Sequence, residues 1–464
     1  MSKINSALFS SFLLLIFWLP IPLGSNRPWG WGIIEIVAFS LLAIYILFAI
    51  KNDENILKKL APYKLLLVSF FSVQLWLVVQ YLPLPQELLL FLSPDLAEIY
   101  QHSPENLKTL SLDSSQTQVA SFKGLAYFCL MLLSLLLVNT EKRLKSIVIV
   151  MVLSGTFQAV YGSLQALSGN NVSWVFEVSN TSIATGGFIY KNHFANFLLL
   201  SLSMGIGLLV ANLSQQDHNS TKAKLRDFIG SLLQGKAVLR IALALMVIGL
   251  VMSRSRMGNA AFFIAMTVTG VFAFFYFKQR SKNLTILLIS LFVIDTFILG
   301  SWFGLDKVKS RIEQTSLSQE TRDEVNIYGL ELIKKYPLTG TGAGSFYTIF
   351  PMVQGDDIKL FYDHAHNDYL QFTIEYGIPF TLLLAFIVFV SLMQSIHTMR
   401  NRKNSLMKGI AFGSMMAIIG MLIHITVDFN LQAPANAVYF VLILTLSWQS
   451  RYLLPHKKRK THSA

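Results

Sequence analysis

"WGIIEIVAFSLLAIYILFAI", residues 31–50, carries one charged side chain, Glu35, in its whole length. A helix of about 20 such residues crosses the hydrocarbon core of a bilayer. Comparable runs recur at 7–24, 63–82, 122–139, 146–167, 189–212, 239–253, 257–277, 284–303, 379–396, 409–428 and 434–450. Together they predict an all-α polytopic membrane protein of about 12 transmembrane helices. Composition agrees, because 464 residues that are 53% hydrophobic and 14% charged leave too little polar surface for a soluble globule. The first run opens with Lys3 like a secretory leader, but it ends in "WLPIPLGSNRPW" without a small-x-small cleavage signal and is read as a helix.

The basic residues test this count, since inner loops are enriched in Lys and Arg. With the N-terminus inside, 25 of the 38 Lys and Arg residues fall on inner segments, among them "EKRLK" (141–145), "KQRSK" (278–282) and "RNRKNSLMK" (400–408). Both termini are then cytoplasmic. The net charge of +13 is a topology signal that meets anionic lipid head groups, and it makes no case for nucleic acid. The single cysteine, Cys129, lies inside the fourth run, so no intramolecular disulfide can form.

Three outer segments are long: 83–121, 168–188 and 304–378. The longest divides the chain into helices 1–9 with the other two outer loops (1–303), a partly helical outer loop (304–378), and helices 10–12 with a basic tail (379–464). In "SQETRDEVNIYGLELIKKYPLTGTGAGSF" (318–346) Val325, Tyr328, Leu332 and Ile333 share a helical face that must lie against something apolar, and Ser318 with Thr321 offers a cap. Gly340, Gly342 and Gly344 follow a helix, the wrong order for a dinucleotide fingerprint. They are read as a tight turn with exposed backbone.

Polar chemistry peaks in "DHAHNDYLQFTIEYGIPF" (363–380). A helix is expected to begin near Ala365 or His366, placing His366, Tyr369, Leu370 and Thr373 on one face and Asn367, Gln371 and Glu375 on its neighbour. Asp363 and His364 would stand at its anion-favouring entrance. Arg254 and Arg256 in "VMSRSRMGNAAF" (251–262) sit between two apolar runs, where an arginine is costly unless paired. They either snorkel to head groups or grip phosphate with parallel hydrogen bonds. Lys191, Asn192, His193 and Asn196 in "GGFIYKNHFANFLLL" (186–200) are dense enough to imply a cavity. His424 and Asp428 are spaced i, i+4 and can bond along one face, in helix packing or in chemistry. Asp356, Asp357 and Asp363 are read as a solvated loop, with no metal.

Several of these stretches, with "PIPLGSNRPWGW" (20–31), "LSLDSSQTQVASFKGLAYF" (110–128) and "VDFNLQAPANAVYF" (427–440), resemble the bacterial O-antigen ligase and polymerase superfamily, in family order over nearly the whole chain. The most specific match is His366-Asn367, followed by nine residues and Gly377. The ligase motif then carries Gly, Thr or Tyr where this chain has Phe380. The resemblance implies a GT-C-like membrane glycosyltransferase, without metal or other cofactor, working on the outer face of the bacterial inner membrane. It implies transfer from an undecaprenyl-diphosphate-linked glycan to a hydroxyl of lipid A core, of a growing glycan or of a protein. Arg254 or Arg256, with Arg322, would hold the diphosphate and His366 would be catalytic. Asn367, Gln371, Lys191, Asn192, His193 and Asp428 are candidates for acceptor binding or support. A transporter or flippase is the alternative from another class, against which stand the outer polar clusters and the lack of a half-chain repeat.

Overall fold

The structure is a computed structural model that describes residues 3–101, 108–170, 172–176, 183–213, 235–276, 322–358 and 361–453. Eleven of the twelve apolar runs fall on helices, numbered here in chain order together with the amphipathic α9: α1 (Lys3–Trp18), α2 (Pro28–Lys51), α3 (Lys64–Tyr81), α4 (Ser114–Leu137), α5 (Glu141–Leu167), α6 (Lys191–Leu213), α7 (Gly235–Met252), α8 (Arg256–Tyr276), α9 (Arg322–Lys335), α10 (Asp368–Asn401), α11 (Ser405–His424) and α12 (Pro434–Tyr452). Among the described residues eight helices are long and apolar enough to cross a membrane, and α1 and the apolar part of α7 are shorter. The predicted run 284–303 lies outside the described residues, as do Ser318 and Thr321.

α6 and α11 are the innermost pair, and small residues set their distance. Ser203, Gly207 and Ala211 face Gly409 and Gly413 so closely that a Cβ on Gly207 would strike the Gly409 carbonyl, and one on Gly409 the Gly207 carbonyl. Lipid gives helices no hydrophobic drive to associate, so this close backbone approach supplies the packing. α12, buried from Pro434 to Ser450, lies against them.

A second apolar core lies outside this bundle. Leu89, Leu96 and Leu110 from the 83–113 segment pack with Val325 and Leu332 of α9 and with Leu370 and Ile374 of α10. The two outer segments therefore form one cap, and the apolar face of α9 covers α10.

The cap joins the bundle where α10 breaks. Gly377 adopts φ 78°, ψ 163°, a conformation that essentially only glycine tolerates, and Pro379 follows in the first turn of the second half. The turn 339–344 docks there: Thr341 N–H donates to Ile374 O (2.8 Å), Gly342 N–H to Glu375 O (3.0 Å) and Ile378 N–H to Pro337 O (2.8 Å). Gln80 Nε2 donates to both Thr339 O (2.9 Å) and Glu375 O (2.8 Å), while its Oε1 accepts from Ala343 N–H. The glycine turn is thus buried, contrary to the exposed turn expected, because its amides are consumed by α10 and α3. Phe380, the departure from the ligase motif, stacks on Trp76 (4.4 Å, 5°), whose Nε1 donates to Tyr376 O.

At the opposite end of the bundle Asn404 donates to Glu141 (2.9 Å), Arg402 to Leu453 O (2.5 Å) and Arg143 to Asn5 (2.6 Å). That end gathers the basic connections of α4–α5 and α10–α11.

Gly377→Ala is expected to cost about 1–3 kcal/mol or more, since its Cβ would meet the Leu338 carbonyl. A melting curve of purified protein unchanged by the substitution would show that the break is not constrained. Topology is checked by labelling, with Cys129 buried and silent: a cysteine at Gln354 should react with an impermeant reagent added outside and one at Asn401 should not, and the reverse pattern inverts the chain.

Candidate functional site

The stretch 363–380 folds differently from the helix that spacing predicts. Asn367 is the N-cap: its Oδ1 accepts from Tyr369 N–H (3.1 Å) and Leu370 N–H (3.2 Å), and α10 begins at Asp368. His366 therefore precedes the helix, and the shared face with Tyr369, Leu370 and Thr373 does not exist. The first-turn amides left for an anion are taken by Asn367. His366 has φ 51°, a left-handed conformation rare for a non-glycine residue, and such strain concentrates at functional sites.

The bend brings His364 and His366 to the Phe429 ring, which His193 of α6 also meets. His364 stacks on Phe429 at 4.5 Å and 24°, while His366 (4.6 Å, 88°) and His193 (4.7 Å, 85°) meet it edge-on. Tyr190 also meets Phe429, and Tyr362 meets His366. The ring is held by its own turn: Asp428 Oδ1 accepts from Phe429 N–H (3.0 Å), and buried Asp368 accepts from Leu431 N–H (2.9 Å) and Gln432 Nε2 (3.1 Å). Phe429 was not singled out in the sequence, where nothing but its neighbour Asp428 signals it.

His364 is oriented by a chain of side-chain hydrogen bonds. Gln371 Oε1 accepts from Ala365 N–H (3.1 Å), and its Nε2 donates to Glu375 Oε1 (3.0 Å) and to His364 Nδ1 (3.0 Å). Glu375 is in turn fixed by Gly344 N–H at Oε2 (2.9 Å). A donor at Nδ1 leaves the proton of the neutral ring on Nε2. His364, expected at the helix entrance, thus offers an N–H to the site. Burial pushes its pKa below the ordinary 6.5, against the opposing pull of Asp363 and of the Gln371 hydrogen bond.

Beneath this cluster a polar layer continues into the bundle. Asn196 Nδ2 and His424 Nδ1 pair at 3.2 Å, and Asn436 Nδ2 donates to His193 O (3.1 Å). The expected His424–Asp428 pair is absent: α11 ends at His424, so helical spacing does not reach Asp428, and Asn196 takes the ring nitrogen instead. His193 Nε2, Asn196 Oδ1 and His424 Nε2 have no hydrogen-bond partner among the described residues, as expected where buried groups face water or substrate. Lys191 is exposed and Asn192 half-buried at the first turn of α6, so the polar run divides into a surface pair and a buried pair, His193 and Asn196.

The arginines sit beside this layer. "SRSRMG" makes a tight turn between α7 and α8, with Arg254 at φ 51° and Ser255 Oγ accepting from Gly258 N–H (3.2 Å). Asn259 Nδ2 bonds Ser255 O (2.7 Å) and Leu250 O (3.2 Å), so the polar neighbours serve the turn and both arginine side chains are exposed. Neither has a carboxylate within 4 Å among the described residues. A Cβ on Gly258 would lie 3.2 Å from His424 Cε1, which puts the turn at the histidine end of the bundle. Arg322 opens α9, and its side chain lies outside the described residues. Asp356 and Asp357 are exposed, Asp357 accepting from Tyr328 Oη (2.6 Å).

A family model described as O-antigen ligase matches residues 241–385. The matched segment runs from the arginine turn through α9 and the glycine turn to the histidine stretch, and it supports the O-antigen ligase-like superfamily named from the motifs. The membrane-length helices fit a multi-pass membrane protein, and the match suggests a function of the O-antigen ligase or polymerase type in polysaccharide biosynthesis. No curated protein matches it.

A [15N]histidine titration followed by NMR checks the relay. His364 should remain neutral to a pH below 6.5, with its proton on Nε2. A midpoint above that value, or a proton on Nδ1, would contradict the geometry.

Proposed function

We propose that the chain is a membrane glycosyltransferase that moves a glycan from undecaprenyl diphosphate to a hydroxyl acceptor on the periplasmic side of the inner membrane. The observation that carries this reading is the meeting of His193, His364 and His366 on Phe429 at the end of the bundle that bears two exposed arginines with no carboxylate within 4 Å among the described residues. Nucleotide sugars stay in the cytoplasm, so transfer outside needs a donor that arrives activated and membrane-borne. A polyprenyl diphosphate meets that need.

His366 takes the proton of the acceptor hydroxyl as the oxygen bonds to the sugar C1, and the C1–O bond to diphosphate breaks with inversion. A positioned base contributes about 10²–10⁴ in rate. Arg254 or Arg256, with Arg322, hold the diphosphate and stabilise the charge that grows as it leaves, the work of preorganised cations in a water-poor site. His364, its Nε2–H aimed by Gln371, donates to an oxygen of either substrate. Asn367 supports His366 through the cap, and Asp428 through Phe429. Lys191, Asn192 and His193 support the site from the α6 side. No step is assigned to Asp356, Asp357 or Asp363, and the reaction is metal-independent. The acceptor is lipid A core, a growing glycan or a protein.

Reconstitution of purified protein with a polyprenyl-diphosphate glycan tests this reading directly. Arg256→Lys and Arg254→Lys keep the charge and lose the fork of donors, so at least one should lose about tenfold or more of transfer. Parental turnover in both would remove the turn from the site. Transfer should survive EDTA, and loss restored by magnesium or manganese would return the aspartates to the chemistry.

A further inference from the structure

Two polar side chains of the bundle, Lys123 and Gln74, lie apart from the histidine cluster and share one cavity. Lys123 on α4 places its ammonium 4.9 Å from the Trp31 ring and has no carboxylate within 4 Å among the described residues, although the charges of Glu375 and Glu35 both reach it. Gln74 on α3 is 6% exposed, and its Oε1 has no hydrogen-bond partner among the described residues. Gly124 makes room for that amide, since a Cβ there would strike it. Polar groups at this depth are costly and mark substrate paths.

Both side chains line a cavity of 380 Å³ between α3, α4, α10, α11 and α12. Its polar end holds Gln74, Lys123, Tyr127, Glu375 and Gln432, and the rest is hydrocarbon, with Val73, Leu384, Val388, Phe440 and Val441 among the walls. Along α10 the apolar part runs from Thr381 to Leu392, about 16 Å of helix. That is roughly half the thickness of a bilayer core. No wall comes from α6, α7 or α8, so the slot is separate from the arginine turn. Its polar end nonetheless shares Glu375 with the Gln371–His364 relay.

The lining decides the occupant. One ammonium, Lys123, shares this end with the Glu375 carboxylate, which leaves no surplus of positive charge, so it does not suit a diphosphate. Amide, ammonium, carboxylate and phenol groups around aromatic faces suit neutral hydroxyls, and the apolar length suits a hydrocarbon chain. We propose that the slot takes the acceptor as a lipid-borne glycoside, its hydroxylated head among Gln74, Lys123 and Glu375 and its chain along α10. This rests on the glycosyltransferase reading, and among the acceptors open to that reading it selects the lipid-borne ones over a protein.

Ala385 lines the slot from its exposed side, so Ala385→Trp fills it without entering the packed core, while Leu382→Trp places the same ring on an exposed position of α10 that does not line it. The probe is a long-chain alkyl glucoside carrying a diazirine, cross-linked to protein in phosphatidylcholine vesicles. Labelling should map to α3 and α10 and fall about tenfold in Ala385→Trp, but not in Leu382→Trp. Ala385→Trp should raise the KM for a lipid-borne acceptor by a similar factor and leave donor binding and a short-chain, water-soluble acceptor of the same head unchanged. Labelling spread evenly over the exposed helices, equal displacement by added phosphatidylcholine, or no effect of Ala385→Trp would overturn the slot. Specific labelling with no transfer to any acceptor would leave the slot an amphiphile site and sink the glycosyltransferase reading instead.

Discussion

The backbone clamp between the turn 339–344 and the break at Gly377 is the constraint on which the site depends. Two amides of the turn satisfy Ile374 and Glu375 carbonyls that a continuous helix would have bonded internally, and Gln80 closes the joint from α3. Because the joint is backbone to backbone, no Cβ fits at Gly340 or Gly377. The same turn supplies the Gly344 N–H that holds the Glu375 carboxylate. The joint therefore does two jobs, bending α10 so that residues 368–376 belong to the cap and fixing the far end of the chain that orients His364.

From that joint the site assembles by successive short bonds. Glu375 sets Gln371, Gln371 sets His364, and the Asn367 cap sets where His366 leaves the helix. Asp368 reaches the turn between α11 and α12 and fixes Phe429 beneath all three histidines. Each of these groups is buried or half-buried, and a partly satisfied network in such surroundings would be costly. The arginines obey the opposite rule: the serines and Asn259 hold the turn, and the guanidinium groups remain available to an anion.

Much of this was legible in the sequence, because it is written in local pattern. Apolar runs gave the helices, the periodicity of Val325, Tyr328 and Leu332 gave a covered face on α9, and "SRSRMG" showed arginines where a bilayer disfavours them. The misreadings share a cause, since each turned on a partner far away in the chain. Asn367 looked like a helical residue because its capping role shows only in backbone geometry. The glycine turn looked exposed because Gln80, more than two hundred residues earlier, was an unremarked amide at the end of an apolar run. Phe429 offered no polar signal at all, and Lys123 passed unnoticed although a lone cation at the edge of an apolar run is the same kind of mark as Arg254. His424 and Asp428 had the right spacing, but the helix stops between them.

The account stands or falls on His366 as the group that takes the acceptor proton at the ring of Phe429. The direct measurement is single-turnover transfer by His366→Ala in proteoliposomes loaded with polyprenyl-diphosphate glycan, with donor binding measured on the same preparation. The account predicts donor binding equal to the parent and transfer lower by about a hundredfold or more. Transfer at the parental rate with intact donor binding would contradict it.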